Sequence, residues 1–236
     1  MTEPVPPVIL IPGYWLGGWA WLAVAGQLRS AGLTVTSLTL PGLESAETSR
    51  EGVQFADHVD AVIDVLPEQG PAVLVAHSGA GAVVTAVLDQ VPERVARVIY
   101  VESGPSADGS VPRPDLDPGL VDLPLPSFEE FEAQGASLDG LDQSALERFR
   151  EGAVPHPVGA LTEPIELRNP RRNDVPATVV CCSIPSAVVA KATDQPMFAP
   201  LKDLTDVSYV DLPTGHWPMW SKPEELAAMI EEVART

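Results

Sequence analysis

The chain has 236 residues, of which 45% are hydrophobic, which is enough for one domain with a packed core and an inserted segment. Its 14 lysine and arginine residues are outnumbered by 33 aspartate and glutamate residues, so the formal net charge is −19. Such a charge repels phosphate backbones and anionic lipid surfaces, which excludes nucleic acids and membranes as partners.

The first predicted elements alternate between strand and helix. Residues 1–7 lack the basic region of a signal peptide and lead directly into a strand, which predicts a cytoplasmic protein. The apolar run Val8–Ile11 ends at Pro12 and Gly13, and it predicts a buried parallel strand. Periodicity then predicts a helix over residues 19–31, a strand over residues 34–40 and a helix over residues 54–66.

Residues 72–91 are the most informative part of the chain. A valine-rich run over residues 72–76 predicts a buried strand, and a helix-compatible segment extends from the following turn to about residue 91. Ser78 stands at the apex of that turn, which is the setting of a nucleophile elbow. Because the turn strains its central residue, the residues two positions away must be small, and they are Ala76 and Ala80. The alternative is a serine that only caps the helix.

The alternation is interrupted after the next predicted strand, which covers residues 95–101. Residues 105–172 are rich in proline, glycine and acidic side chains and contain only short helical patches, at residues 128–134 and 143–149. A long segment without strands inside a regular fold is usually functional. We therefore expect a helical lid over residues 105–172, inserted into a core of residues 1–104 and 173–236. The alternative is a surface elaboration unconnected to the site.

The core resumes with predicted strands over residues 178–184 and 207–212 and a final helix after Pro223. The whole order predicts an α/β fold with a doubly wound, mostly parallel sheet of about six strands. Cys181 and Cys182 are neighbours in one strand, and we expect both to be buried as small hydrophobic side chains. The sequence has neither a zinc-type cysteine spacing nor a glycine-rich phosphate loop, so we expect no metal and no cofactor.

Two residues are candidates to activate the serine, which is a poor nucleophile until a base takes its proton. His216 lies in a glycine- and proline-containing loop between the last strand and the last helix, where it can reach Ser78. Glu102 ends the strand that follows the elbow helix, at the carboxyl edge of the sheet, where parallel α/β folds gather their sites. The alternatives are a structural loop histidine and an acid that caps the next turn.

Other residues are candidates to bind the substrate. The backbone N–H groups of Gly79 and Tyr14 can stabilise an oxyanion, because both follow strand ends. Trp15 and Trp217 belong to tryptophan-rich loops and predict an aromatic substrate pocket, with His77 as an orienting or pocket residue. The alternative is ordinary packing of large apolar side chains.

These motifs resemble the α/β-hydrolase superfamily, and among its members the chain is most similar to plant methylesterases, hydroxynitrile lyases and small bacterial esterases. The resemblance runs along nearly the whole chain, and its matching residues are Val8–Tyr14 with Gly18-Trp19, Leu40-Pro41-Gly42, Ala76–Ala80 and Gly215-His216. The chain order Ser78, Glu102, His216 matches the serine–acid–histidine order of the superfamily. At the first loop, the chain has Pro12-Gly13 where the superfamily has histidine-glycine.

The position of the acid also departs from most of the superfamily, in which it follows the next-to-last strand. The chain has no carboxylate after that strand until Asp194. In some relatives the acid instead ends the preceding strand, where Glu102 stands. The resemblance therefore supports Glu102, with Asp194 as the alternative.

The resemblance implies hydrolysis of a carboxylic ester, lactone or thioester of a small apolar molecule through an acyl-enzyme on Ser78. The alternatives are a natural-product tailoring cyclase or thioesterase and a ligand-binding protein with low turnover. A hydroxynitrile lyase is disfavoured, because such enzymes typically have a lysine after the catalytic histidine and this chain has Trp217. We expect a small-molecule substrate as partner and a monomer or homodimer.

Overall fold

The computed structural model describes residues 5–236; residues 1–4, part of the N-terminal segment considered above, lie outside that range. The described residues contain eight strands: β1 (Val8–Ile11), β2 (Val35–Ser37), β3 (Ala72–His77), β4 (Val95–Val101), β5 (Asp122–Leu123), β6 (His156–Pro157), β7 (Ala177–Cys181) and β8 (Val207–Asp211). They also contain eight α-helices: α1 (Leu22–Ser30), α2 (Phe55–Asp64), α3 (Ala80–Gln90), α4 (Phe128–Ala133), α5 (Gln143–Gly152), α6 (Ser186–Val189), α7 (Pro218–Ser221) and α8 (Pro223–Ala234).

Six strands form one sheet in the order β2-β1-β3-β4-β7-β8, and every neighbouring pair is parallel. The strand order reverses at β1, which has β2 on one side and β3 on the other. In open α/β sheets, a crevice forms outside the carboxyl ends of the strands at such a reversal. The loops that leave β1 and β3 therefore face each other where a site is expected.

Helices cover both faces of the sheet because its central strands, such as β1 and β3, are buried and apolar on both sides. Ile9 and Leu74 point to one face, where they are buried beneath α2 and α3. Their neighbours Leu10 and Val75 point to the other face, beneath α1 and α8. The prediction of a doubly wound parallel sheet of about six strands is confirmed.

The expected strand over residues 178–184 ends earlier, at Cys181. The physical reason lies in the next two backbone N–H groups, those of Cys182 and Ser183, which donate to the carboxylate of Glu102. The two cysteines are buried and free, and they pack on opposite faces of the sheet, as predicted.

Residues 105–172, which we call the insertion, connect β4 to β7. They contain the helices α4 and α5 and the strands β5 and β6, which pair with each other in an antiparallel sheet of their own. Phe131 of α4 and Phe149 of α5 are buried against Trp217 of the core, with ring centroids 5.2 and 5.0 Å from that indole. Among residues 5–236, no helix combines the length and the apolar character needed to cross a bilayer.

Candidate active site

Ser78 occupies a sharp turn between β3 and α3. Its backbone adopts a positive φ of 50°, which is rare for a residue with a side chain. Its N–H donates to the carbonyl of Val101, and its own carbonyl accepts the Ser103 hydroxyl at 2.5 Å. A Cβ on Gly81 would stand 2.4 Å from the Gly104 carbonyl oxygen, so this position of the elbow requires glycine. These hydrogen bonds and the close packing thus hold Ser78 in a strained backbone conformation at the end of the strand.

His216 and Glu102 lie beside this hydroxyl. The Nε2 of His216 is 2.8 Å from Ser78 Oγ, and its Nδ1 is 3.4 Å from Glu102 Oε2. In the tautomer with hydrogen on Nδ1, the ring accepts the Ser78 hydroxyl hydrogen on one side and faces the carboxylate on the other. The arrangement is that of a nucleophile, a base and an orienting acid.

Glu102 is held as an anion in a largely buried place. Burial alone would raise the pKa of its carboxyl group, but hydrogen bonds from His216, Ser183 and two backbone N–H groups lower the pKa overall. The N–H groups of Cys182 and Ser183 donate to Oε1 at 2.6 and 2.9 Å, and the Ser183 hydroxyl donates to Oε2 at 2.5 Å. Asp194, the other candidate acid, is exposed and paired with Lys202.

The loop after β1 passes close to the elbow. A Cβ on Gly13 would stand 2.9 Å from His77 Nδ1 and 3.0 Å from Ser78 Cβ. The ring of Tyr14 lies where a Cβ on Gly79 would stand, 2.2 Å from its nearest atom. Within residues 5–236, the N–H groups of Tyr14 and Gly79 donate to no protein acceptor. Two free donors therefore lie in the loop segments that meet beside Ser78.

A cavity of about 560 Å³ opens in front of these residues. One wall comes from the insertion, at residues 110–112 and 134–136. The described residues that line the cavity include one carboxylate, that of Glu102, and no lysine, arginine or aspartate. The apolar part of the lining includes Val179, Val189, Phe198, Pro200 and Leu201.

The aromatic pocket that we expected differs from the structure, because Trp15, His77 and Trp217 do not line this cavity. Trp15 is buried and donates its indole N–H to the Leu123 carbonyl of the insertion. Trp217 is buried between the core and the insertion, edge-on to the His216 ring. These indoles fasten the insertion to the core instead of facing a substrate. Tyr14 does line the cavity, and burial raises the pKa of its phenol to about 12.

His77 lies beneath the site. Its Nε2 is 2.8 Å from the backbone carbonyl of His216, and since a carbonyl only accepts, the hydrogen is on Nε2. Burial lowers the pKa of His77 to about 3, so the ring is neutral. His77 therefore donates a hydrogen bond to the loop that carries His216 and does not line the cavity.

Sequence reasoning missed Ser183 and Ser103, whose hydroxyls hold Glu102 and the elbow carbonyl. Each is the second residue after the end of a strand, and small polar residues there are a signal that could have identified them. Within residues 5–236, no group of three or more His, Cys, Asp or Glu side chains could hold a metal ion.

Comparison with known proteins gives matches along nearly the whole chain. The model of the alpha/beta hydrolase family matches residues 8–229. "Methylesterase 7" of Arabidopsis thaliana is 26% identical, and the match covers 96% of this chain and 95% of that protein. "Carbendazim hydrolyzing esterase" of Nocardioides sp. (strain SG-4G) is 28% identical over 93% of this chain and 96% of that protein.

Solved structures show the same fold. A pyrethroid hydrolase from Sphingobium faniae JZ-2 superposes with a TM-score of 0.70 at 24% identity, over 98% of each chain. An extracellular alpha/beta-hydrolase from a Paenibacillus species gives a TM-score of 0.75 at 20% identity, over 98% of this chain and 100% of that one.

Proposed function

The chain belongs to the alpha/beta hydrolase family, and on that premise we propose that it is a serine esterase acting on a small, uncharged, largely apolar carboxylic ester. The observation that carries the proposal is the chain of contacts from Ser78 Oγ to His216 Nε2 and from His216 Nδ1 to Glu102. Curated relatives whose names describe them as esterases support ester hydrolysis as the reaction.

The first half of the reaction forms an acyl-enzyme. His216 Nε2 takes the hydroxyl proton as Ser78 Oγ attacks the ester carbonyl carbon, and Glu102 stabilises the imidazolium that results. The N–H groups of Tyr14 and Gly79 donate to the oxyanion of the tetrahedral intermediate. The intermediate collapses with cleavage of the bond to the alcohol oxygen, which receives the proton from His216 and leaves.

The second half releases the acid. A water molecule gives a proton to His216 Nε2 and attacks the acyl carbonyl, and the same two N–H groups stabilise the second oxyanion. Collapse breaks the bond to Ser78 Oγ, which takes the proton back. Apart from the ester and one water molecule, both halves use only the side chains and backbone groups named above.

The charge of the cavity supports an uncharged substrate. Its lining contains no lysine or arginine, and Glu102 is anionic. The chain as a whole carries a net charge of −19. A carboxylate on the substrate would therefore be repelled without a partner to neutralise it. We also propose that the insertion is a lid, because it supplies one wall of the cavity.

A fluorophosphonate probe tests the nucleophile, with Ser78→Ala as the matched control. We expect stoichiometric labelling of the wild type, no labelling of the variant, and turnover of short p-nitrophenyl esters by the wild type only. A wild type that binds esters but is neither labelled nor active would support the ligand-binding alternative instead.

A pair of esters tests the substrate class. The p-nitrophenyl esters of pentanoic acid and of succinic acid have acyl groups of similar size, but the second carries a free carboxylate. We expect kcat/KM to be at least about tenfold higher for the uncharged ester, after correction for the rates of hydrolysis in buffer. Equal values for the two esters would overturn the assignment of an uncharged substrate while leaving the esterase in place.

A further inference from the structure

The backbone around His216 is hydrogen-bonded to the insertion. Its N–H donates to the Ser137 carbonyl at 2.7 Å, and the N–H of Gly215 donates to the Asp139 carbonyl at 3.0 Å. The hydroxyl of Thr214 lies 3.3 Å from the same Asp139 carbonyl and 2.7 Å from the Ser221 hydroxyl, and its one hydrogen is donated to Asp139 when Ser221 donates to Thr214. Three consecutive residues of the base loop are therefore bonded to residues 137–139, which we call the strap.

The approach of the two backbones is possible only because residue 215 is glycine. A Cβ on Gly215 would stand 2.6 Å from the carbonyl oxygens of Ser137 and Asp139 and 2.7 Å from the Asp139 nitrogen. These neighbours are backbone atoms, which cannot rotate away as a side chain could. Any side chain at position 215 would therefore push the two backbones apart.

The other backbone group of His216 is held from the opposite direction. Its carbonyl accepts the Nε2 hydrogen of His77, which is part of the strand that leads into the elbow. One polar backbone group of the base is thus fixed to the nucleophile strand, and the other to the insertion. The ring has to meet Ser78 Oγ at 2.8 Å, so its backbone position matters for the reaction.

The strap is continuous with the wall of the cavity. Residues 134–136, which line the cavity, precede it directly and follow α4. Phe131 of α4 packs on Trp217, the residue after the base. Movement of the insertion would therefore shift the cavity wall and the base together.

We propose that residues 137–139 are a positioning segment for His216, so that the base is aligned with Ser78 only while the insertion is seated on the core. This inference rests on the proposed esterase function. Release of the strap would remove the hydrogen bonds that the backbone N–H groups of Gly215 and His216 donate. The insertion would then position the base in addition to covering the cavity.

Gly215→Ala tests the proposal, since its methyl group would push the strap away from the base loop. Gly26→Ala is the matched control, because a Cβ there meets nothing within 4 Å. We expect Gly215→Ala to lower kcat for p-nitrophenyl butyrate by roughly 10- to 100-fold with little change in KM, and to slow fluorophosphonate labelling equally. Hydrogen exchange should become faster at the amides of residues 215–216 and in the strap.

A gentler pair of variants covers the case in which Gly215→Ala does not fold. Thr214→Val removes the hydroxyl that contacts the Asp139 carbonyl, whereas Thr214→Ser keeps it. We expect a several-fold fall in kcat for the first and recovery in the second. Faster hydrogen exchange in the strap of these variants with an unchanged kcat would overturn the positioning role, and the contact would then be structural only. A wild type that is neither active nor labelled would overturn the proposed function, and the strap proposal with it.

Discussion

Ser183 gives Glu102 two hydrogen bonds, one from its backbone N–H at 2.9 Å and one from its hydroxyl at 2.5 Å. The end of β7, where most relatives are expected to have the acid, here supplies donors to an acid that stands at the end of β4. The two strand ends are adjacent in the sheet, so the carboxylate remains at the edge where His216 reaches it. The candidate acid and the groups that donate to it therefore lie on neighbouring strands at one edge of the sheet.

Replacement of the acid should separate the two candidates. Glu102→Gln keeps the size of the side chain but can donate an N–H to Nδ1, which favours the His216 tautomer that cannot accept the Ser78 proton at Nε2, and we expect kcat to fall about 10³- to 10⁴-fold. Asp194→Asn is the control and should have no effect, because Asp194 is exposed and pairs with Lys202. Steady-state kinetics on a p-nitrophenyl ester measures both. Normal turnover in Glu102→Gln would remove this residue from the mechanism.

The support of Glu102 should appear in acid stability. The pKa of Glu102 is lowered in the folded protein, so the stability it contributes is complete above its ordinary pKa and is lost as pH falls through the lowered value. Ser183→Ala removes one charge-assisted hydrogen bond, worth about 1.5–3 kcal/mol, and should move the acid unfolding midpoint to higher pH. Circular dichroism during acid titration tests this. An unmoved midpoint would contradict it.

The contact between Tyr14 and Gly79 should make Gly79 intolerant of a side chain. In Gly79→Ala, the new methyl group would overlap the Tyr14 ring, which stands 2.2 Å from that position. We expect a loss of about 1–3 kcal/mol in stability and a fall of about 10²-fold in kcat, because both candidate oxyanion donors shift. Thermal unfolding and kinetics beside Gly26→Ala measure the effect. Wild-type behaviour of Gly79→Ala would disprove the close contact.

His77 should act through the loop of the base. His77→Leu removes the donor to the His216 carbonyl, whereas the amide of His77→Gln can still supply an N–H. We expect the leucine variant to lose roughly tenfold in kcat with KM unchanged, and the glutamine variant to recover part of that loss. If both variants fall equally, the ring is needed for packing and not for its hydrogen bond.

The two cysteines should be unreactive. Burial raises the pKa of Cys181 to about 11, and it also raises that of Cys182. The thiolate is the reactive form, so alkylation by iodoacetamide at neutral pH should be slow and should leave activity intact. Mass spectrometry of the treated native protein measures this. Rapid modification of either thiol before unfolding would contradict the burial described here.

The end of a strand was predictable where an apolar run is followed by a residue that cannot belong to a strand. β1 has the predicted bounds, because Pro12 breaks its run, and β4 also matches. β7 ends early for a reason outside its own sequence, which is the carboxylate of Glu102 at the end of β4. The pattern of side chains within residues 178–184 does not indicate that a carboxylate from another strand binds there.

Some parts of the candidate site could likewise be predicted from the sequence, and others could not. Ser78, Glu102 and His216 could be proposed from their places at strand ends, and the structure brings them together. The strap could not be proposed, because it acts through backbone carbonyls, which every residue has. The directions of Trp15 and Trp217 also depend on the packing of the insertion, which periodicity within the core does not describe.

In the part of the chain that the structure describes, three residues other than glycine adopt a left-handed backbone: Trp15, Ser78 and Glu102, at φ of 64°, 50° and 46°. Each such conformation costs an L-amino acid about 1–2 kcal/mol, which glycine would largely avoid. At Ser78, whose hydroxyl is bonded to His216 only, selection for heat resistance alone would therefore favour glycine, whereas Trp15 and Glu102 make buried contacts whose loss would cost more. Such heat-resistant variants would retain the fold and lack the proposed nucleophile.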